Sequence, residues 1–161
     1  MAAQTGRTVK KWTDFIVDDS GGTIRSIPVN SIGGVGLDFD EADVSAFQDA
    51  MKGALPDTPS CVIAITGPFD NSAVASVGTL SGSLTVLEAI SGKNTPLTLD
   101  IQIGMRQAWE AGEPQFGVTS SATNGFLCRN FKVDFASMEY SCEFYMYPGS
   151  IAPAWGTAAE S

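Results

Sequence analysis

The sequence predicts a mainly β domain, a β-sandwich or barrel with one flanking α-helix at about residues 41–52. Its β-branched and aromatic residues come in short clusters separated by Gly, Ser, Asn and Pro, which is typical of strands and turns. In the C-terminal half, apolar and polar residues alternate with the period of a strand that buries one face. A chain of 161 residues has the length of a single domain with one hydrophobic core.

The N-terminal region is predicted to form an arm and a hairpin. Residues 1–10 are small and polar without periodicity, and we expect a flexible arm. Residues 12–17 and 23–29 have strand composition, and the acidic, glycine-rich residues 18–22 between them suit a tight turn. The single domain is expected to cover residues 11–150, followed by a C-terminal tail at residues 151–161.

A helix is predicted after the glycine-rich connector of residues 31–38. Asp40 is placed to cap a helix over residues 41–52, and Gly53 is placed to end it. A narrow apolar stripe with helical spacing consists of Val44, Phe47 and Met51. Acidic residues at the start of this segment resemble a calcium loop only loosely, and stabilisation by the helix dipole explains them better.

The rest of the chain is predicted to consist of strands. Residues 61–66, 84–90 and 97–103 are three strand candidates, and the third alternates without error, which indicates one solvated face. Residues 126–135 and 138–147 are predicted to pair across a turn at 136–137. The connection at residues 104–125 is long for an idle loop and is predicted to have a partner.

The predicted register of the last two strands places their apolar residues on one face. That face is interrupted where Arg129 meets Phe144. The opposite face carries Asp134 across from Glu139, a pair of like charges. Solvated charge on a sheet surface explains this pair better than acid–base catalysis does.

Composition argues against several classes of function. The net charge of −9, from 18 acidic and 9 basic residues, repels a nucleic-acid backbone. Histidine is absent, which removes the usual general base and the commonest transition-metal ligand. No phosphate-binding loop occurs, and 33–36 lacks the spacing of a dinucleotide fingerprint. We therefore expect no enzyme activity, no cofactor and no metal site.

The cysteines and the hydropathy pattern give further expectations. An odd number of cysteines without a C-x-x-C pair indicates reduced, mostly buried thiols at Cys61, Cys128 and Cys142. No apolar run reaches the roughly 18 residues that a membrane span needs. Neither a secretion signal nor a membrane anchor is expected.

Three segments between residues 6 and 71 carry a resemblance to a known family. They are GRTVKKWTDFIVDDSGG, LDFDEADVSAFQDAMKGAL and VIAITGPFDN. Together they resemble the major tail protein, or tail-tube protein, of long-tailed bacteriophages, over less than half of the chain. The resemblance implies a β-sandwich with a flanking helix, six copies per ring, and rings stacked into a tube for DNA passage. It also implies other tail proteins as partners, a place in the virion tail, and assembly in the host cytoplasm.

Within that resemblance, a carboxylate-rich sheet face suits a lumen, because like charge keeps DNA from adhering to the wall. The lumen-facing candidates are Asp100, Asp134, Glu139 and Glu143. Ordinary surface charge is an equally good explanation of these carboxylates.

The candidates for contacts between subunits come from the arm and the long connection. They are Arg7, Trp12, Trp109 and Phe116. Core packing is the alternative for Trp12, and folding back onto the domain is the alternative for Trp109 and Phe116. Alternative functions are a capsid decoration or tail completion protein, the tube of a contractile secretion machine, and a soluble β-sandwich that binds a ligand.

Overall fold

The computed structural model describes residues 3–48 and 50–159. Within these residues the chain forms eleven strands, one α-helix and a short 3-10 turn. The 3-10 turn is Lys10–Trp12 and the helix, α1, is Ser83–Ile90. The strands in chain order are β1 Thr13–Asp18, β2 Ile24–Ile27, β3 Ser31–Ile32, β4 Asp38–Asp43, β5 Ala54–Ser60, β6 Val62–Pro68, β7 Leu99–Ile103, β8 Pro114–Val118, β9 Phe126–Asp134, β10 Glu139–Met146 and β11 Ala154–Thr157.

Two antiparallel sheets form a β-sandwich, and this confirms the predicted fold class. The first sheet has the strand order β11-β8-β7-β1-β2, and the second has the order β3-β6-β10-β9. Strands β4 and β5 pair only with each other. Phe15 of the first sheet packs on Phe144 of the second, with ring centroids 5.5 Å apart. The apolar inner faces of both sheets therefore share one core.

The predicted N-terminal hairpin is confirmed as β1 and β2. The Asp19 Oδ1 atom accepts hydrogen bonds from the backbone N–H groups of Gly21 (2.8 Å) and Thr23 (3.0 Å). Arg25 Nε donates to Asp19 Oδ2 at 2.8 Å. Asp19 thus stabilises, through these hydrogen bonds, the turn that is predicted at its position in the sequence.

The single helix lies at Ser83–Ile90, where a strand was predicted for residues 84–90, so that prediction is wrong. Its buried residues follow the i, i+3, i+4, i+7 spacing of a helix face. They are Ser83, Val86, Leu87 and Ile90. The helix contacts β9 of the second sheet and β2 of the first, so burial overrides the β preference of Val86 and Ile90.

The helix predicted at residues 41–52 is also wrong. Asp38–Asp43 and Ala54–Ser60 are the two strands of a hairpin, and the described residues between them form its tip; Asp49 of the predicted helix lies outside the described residues. An apolar stripe with one residue per turn is too narrow to hold a short helix by packing, and an unpacked helix of this length is marginal in water. Pairing of Ala42 with Leu55 and of Asp43 with Ala54 supplies the backbone hydrogen bonds instead.

The β9–β10 register is as predicted near the turn and shifts beyond it. Glu139 lies opposite Asp134, and Ser141 lies opposite Lys132. A bulge then adds one residue, and Asn130 within it has a φ of 57°. Asn tolerates this left-handed conformation better than other residues with a side chain.

The bulge corrects the predicted meeting of Arg129 with Phe144. Cys128 lies opposite Phe144 on the inner face, and Arg129 lies opposite Glu143 on the outer face. A one-residue shift moves every side chain to the other face, so the bulge lets both halves of β9 bury apolar residues. All three cysteines are buried, as predicted, and are free thiols.

The two ends of the chain differ from the predicted boundaries. Residues 154–157 of the predicted tail form β11, which pairs with β8, and Ala158 is buried. The described part of the predicted arm is fastened to the domain: the Gln4 N–H donates to Glu113 (3.1 Å), and Thr8 Oγ1 donates to the Gly104 carbonyl (2.6 Å).

Candidate functional site

A hairpin of residues 38–60, here called the acidic hairpin, extends from the sandwich. Its strands join neither sheet, and every residue of β5 is exposed. Phe39 and Leu55 expose 53% and 57% of their surface. An isolated two-stranded hairpin is marginally stable in water, and its outer backbone edges lack partners. The acidic hairpin is therefore an element that a binding partner would stabilise.

The tip of the acidic hairpin presents its largest apolar side chains to solvent. The Val44 N–H donates to the Gly53 carbonyl at 3.1 Å, and the Gly53 N–H donates to Ser45 Oγ at 2.7 Å, which closes the loop. Phe47 is 107% exposed relative to its reference state, and Met51 is 82% exposed. The residues predicted to pack a helix against the domain therefore stand in water.

The acidic hairpin also concentrates negative charge. Its sequence contains one lysine, Lys52, and the acidic residues Asp38, Asp40, Glu41, Asp43, Asp49 and Asp57. Among residues 38–48 and 50–60, none forms an ion pair with a described residue. The backbone and hydroxyl of Ser45 hydrogen-bond to Asp43 and hold the pKa of that carboxyl below its usual value.

Three of the four lumen candidates lie together on the outer face of the second sheet. Glu139 is exposed and opposite Asp134, which is exposed as well. Glu143 lies two positions further along that face of β10 and accepts from Arg129 Nε at 3.1 Å. Of the three, Glu143 has a cationic partner on the same sheet.

The fourth lumen candidate, Asp100, lies on the first sheet, so the structure does not bring it together with the others. Burial raises the pKa of Asp100 to about 6, and the nearby Asp18 carboxylate contributes to that rise. Gln115 Nε2 donates to Asp100 Oδ1 at 3.2 Å. A half-buried carboxyl group of this kind does not form an open anionic wall.

The predicted wet face of β7 is largely covered, which corrects that prediction. Thr98, just before the strand, and Gln102 are each 7% exposed. The segment after β7 folds back over this face, where Trp109 Nε1 donates to Asp14 Oδ2 at 3.2 Å. Gln102 pairs with Asp14 across β1 and β7. Gln102 Nε2 donates to Gln115 Oε1 at 2.8 Å, so polar side chains on this face bond to one another under a covering loop.

The subunit-contact candidates lie in four different settings. Arg7 is exposed, and Trp12 is half-buried with Lys11 Nζ 4.5 Å from its ring centroid. Trp109 is half-buried and bonded to Asp14, as described above. Phe116 is 1% exposed in the core on β8, so it has no surface for a neighbouring subunit and is removed from the candidates. The alternative of folding back onto the domain is correct for Phe116.

Glu113 is a polar residue that sequence reasoning missed. It is 1% exposed, and its carboxylate accepts from the backbone N–H groups of Gln4, Met105 and Glu110. Burial alone would raise the pKa of Glu113, but these three hydrogen bonds outweigh burial and lower it. The charged side chain ties the arm to the long connection. No local sequence pattern marks such a role.

The acidic hairpin was missed too, although one signal was available. Pro56 and Pro59 both fall within β5, and proline within a sheet is confined to edge strands, first positions and bulges. Two prolines three residues apart disfavour a central strand and fit one that projects from the body.

No protein-family model matches the chain, and no curated protein matches it. Of the helices in residues 3–48 and 50–159, none has the length and apolar character required to cross a membrane.

Proposed function

We propose that the protein is a structural subunit that assembles with copies of itself into stacked, hexameric rings and forms a bacteriophage tail tube through which DNA passes. The observation that carries this proposal is the acidic hairpin, a two-stranded projection with exposed Phe39, Phe47, Met51 and Leu55. Exposed apolar groups on a projecting element mark an interaction surface. Contact with another copy would bury them and pair the hairpin's free edges.

The charge distribution supports the DNA-passage part of the proposal. On the outer face of the second sheet, Asp134, Glu139 and Glu143 are accessible beside two cations, Arg129 and Lys132, so carboxylates exceed cations by one among the described residues. The outer face of the first sheet, by contrast, is covered around Gln102. An anionic wall repels DNA within about 10 Å at 0.1 M ionic strength. The uncovered face is thus the better lumen wall, and Asp100 is left out of it.

A non-enzymatic role is part of the same proposal. Without histidine, the chain has neither a Ser-His-Asp nor a Cys-His arrangement. The carboxyl groups of half-buried Asp14 and of buried Asp18 and Glu113 are bonded to neighbouring side chains and backbone N–H groups. These bonds account for the buried carboxylates as parts of the fold.

Electron microscopy of the purified protein tests the proposal. We expect hollow tubes or six-fold rings; monomers or trimers at every concentration would contradict a tube and favour a decoration or completion protein. Tubes found attached to DNA-filled capsids in a lysate would distinguish a phage tail from a secretion tube.

A hairpin variant tests the observation behind the proposal. Phe47→Ser with Met51→Ser removes the apolar tip, and we expect loss of tubes with an unchanged thermal melt, because both side chains are already exposed in the subunit. Val74→Ser, at a residue that is 44% exposed elsewhere on the surface, is the control and should assemble normally. Normal tubes from the tip variant would remove the hairpin from the assembly contacts.

A further inference from the structure

A groove of about 800 Å³ lies beside the start of β1, the end of β2 and the start of β3. Its inner wall includes Phe15 and Ile27, and Leu80, which is 55% exposed, lies at its edge. Lys10 and Lys11 also line it, and both are exposed. The groove thus combines an apolar surface with cationic groups, which suits a ligand that is apolar and anionic.

The two lysines of this groove have no carboxylate partner within 4.0 Å among residues 3–48 and 50–159. Lys11 contacts the face of Trp12, which leaves its charge unneutralised. Among the described residues that line the groove, Asp14 is the one acidic residue, and its Oδ2 atom already accepts from Ser26 and Trp109. The cationic character of the groove is therefore available to a partner.

We infer that the acidic hairpin of one copy docks into the Lys10–Lys11 groove of a second copy. This inference rests on the proposed self-assembly and names the two surfaces that meet. Within the described residues, the hairpin combines exposed apolar side chains with carboxylates that form no ion pair, and the groove combines an apolar wall with lysines that form none. Complementary charge steers association and fixes register, and burial of the apolar tip supplies affinity.

The positions of the two surfaces favour contact between copies over contact within one chain. None of the hairpin residues 38–48 and 50–60 lines this groove. The hairpin enters β6 at Val62, whereas Ser31 and Ile32 of the groove pair with Thr66 and Ile65 towards the other end of that strand. Val62 and Thr66 are four residues apart in this strand, which is roughly 13 Å. Different surfaces at different ends make a head-to-tail contact, which repeats from copy to copy.

A second groove, at the root of the hairpin, fits this role less well. It includes Thr58, Pro59 and Ser60 of the hairpin itself, so the hairpin forms part of its wall. Its cation, Arg129, is already bonded to Glu143 and stacked 4.4 Å from the Tyr145 ring centroid. The groove lacks an unpaired cation for the carboxylates of a neighbour.

Charge reversal tests the contact. Lys10→Glu with Lys11→Glu places like charges together, and we expect the critical concentration for tube assembly to rise roughly tenfold or more. Asp40→Lys with Glu41→Lys should have the same effect. Lys93→Glu, at an exposed lysine outside the groove and away from the outer face of the second sheet, is the control and should assemble as wild type. Circular dichroism and thermal melts check that each variant is folded.

Recombining the reversed surfaces gives the decisive measurement. A chain with all four reversals, and an equimolar mixture of the two double variants, should both regain tubes, because the altered positions of the groove and of the hairpin again carry opposite charges. If wild type forms tubes and the groove variant does so at the same concentration, the inference is wrong and the proposed function stands. If wild type never assembles, the proposed function itself fails.

Discussion

At the scale of single residues, the charged form of the Asp100 carboxyl group destabilises the folded protein. It is half-buried on the first sheet, and burial followed by the charge of Asp18 raises its pKa from 3.8 to about 6. The folded state therefore binds a proton at Asp100 more tightly than the unfolded chain does. The contribution of Asp100 to the free energy of unfolding of the wild type therefore falls as the pH rises from about 4 to about 6.

Asp100→Asn should make the protein more stable at pH 7 and leave it unchanged below about pH 4. The asparagine can still accept from Gln115 but carries no charge to desolvate. We expect a gain of about 1–2 kcal/mol in the free energy of unfolding, after discounting for residual exposure of the side chain.

Urea unfolding at pH 4 and pH 7 measures this difference. Asp40→Asn, at an exposed residue of the acidic hairpin, is the control and should show no such gain. A stability difference for Asp100→Asn that is the same at both pH values would show that desolvation of the charge is not its cause.

Predictions for single residues were confirmed where the alternation of apolar and polar residues was sufficient to assign each side chain to a face of the sheet. The pattern of residues 97–103 correctly places Leu99 and Ile101 in the core and Asp100 on the other face. It does not reveal that residues after β7 cover that other face. The covering loop is a long-range contact, and its local composition of Gly, Pro and Ser indicates only irregular structure.

At the scale of elements, the β9–β10 bulge decides which side chains reach the core. Asn130 has a φ of 57°, and its Nδ2 donates to Glu143 Oε2 at 3.1 Å. The left-handed conformation costs a residue with a Cβ atom about 1–2 kcal/mol, and a β-branched residue suffers most.

Two replacements of Asn130 distinguish the free-energy cost of its left-handed backbone conformation from the contribution of its hydrogen bond. Asn130→Gly and Asn130→Val both lose the contact with Glu143, but only valine strains the backbone. We expect the valine variant to be less stable than the glycine variant by about 1–2 kcal/mol in urea unfolding. Equal stabilities would mean that the bulge relaxes to another conformation.

The predicted helix is a hairpin and one predicted strand is a helix, and both errors have the same physical cause. Residues 41–52 combine good helix formers with plausible caps but have no surface to pack against. Residues 83–90 contain β-branched residues but place Val86, Leu87 and Ile90 in the core. Burial of several apolar side chains contributes several kcal/mol, more than intrinsic propensities do. Local preference therefore decides little in these two segments.

At the scale of the whole molecule, the proposed lumen wall is the uncovered outer face of the second sheet. Glu139→Lys places a cation there, and we expect assembled tubes of this variant to retain DNA at low salt and to release it as salt rises. Co-sedimentation of DNA with tubes across a salt series measures the effect.

The control for this measurement is Glu88→Lys, which makes the same change of charge on an exposed position of α1. Its tubes should bind DNA as wild type does. If the two variants retain DNA equally, the effect belongs to total charge, and the lumenal position of Glu139 is contradicted.

Local pattern was sufficient for the class of fold, the first hairpin, the core face of β7 and the turn end of the β9–β10 hairpin. These features depend on side-chain alternation and turn chemistry, which act between neighbouring residues. The place of the helix, the covering of Asp100, the role of Glu113 and the docking of both chain ends depend on contacts between distant residues. Such contacts form only where the folded chain offers a surface, and no window of sequence contains both partners.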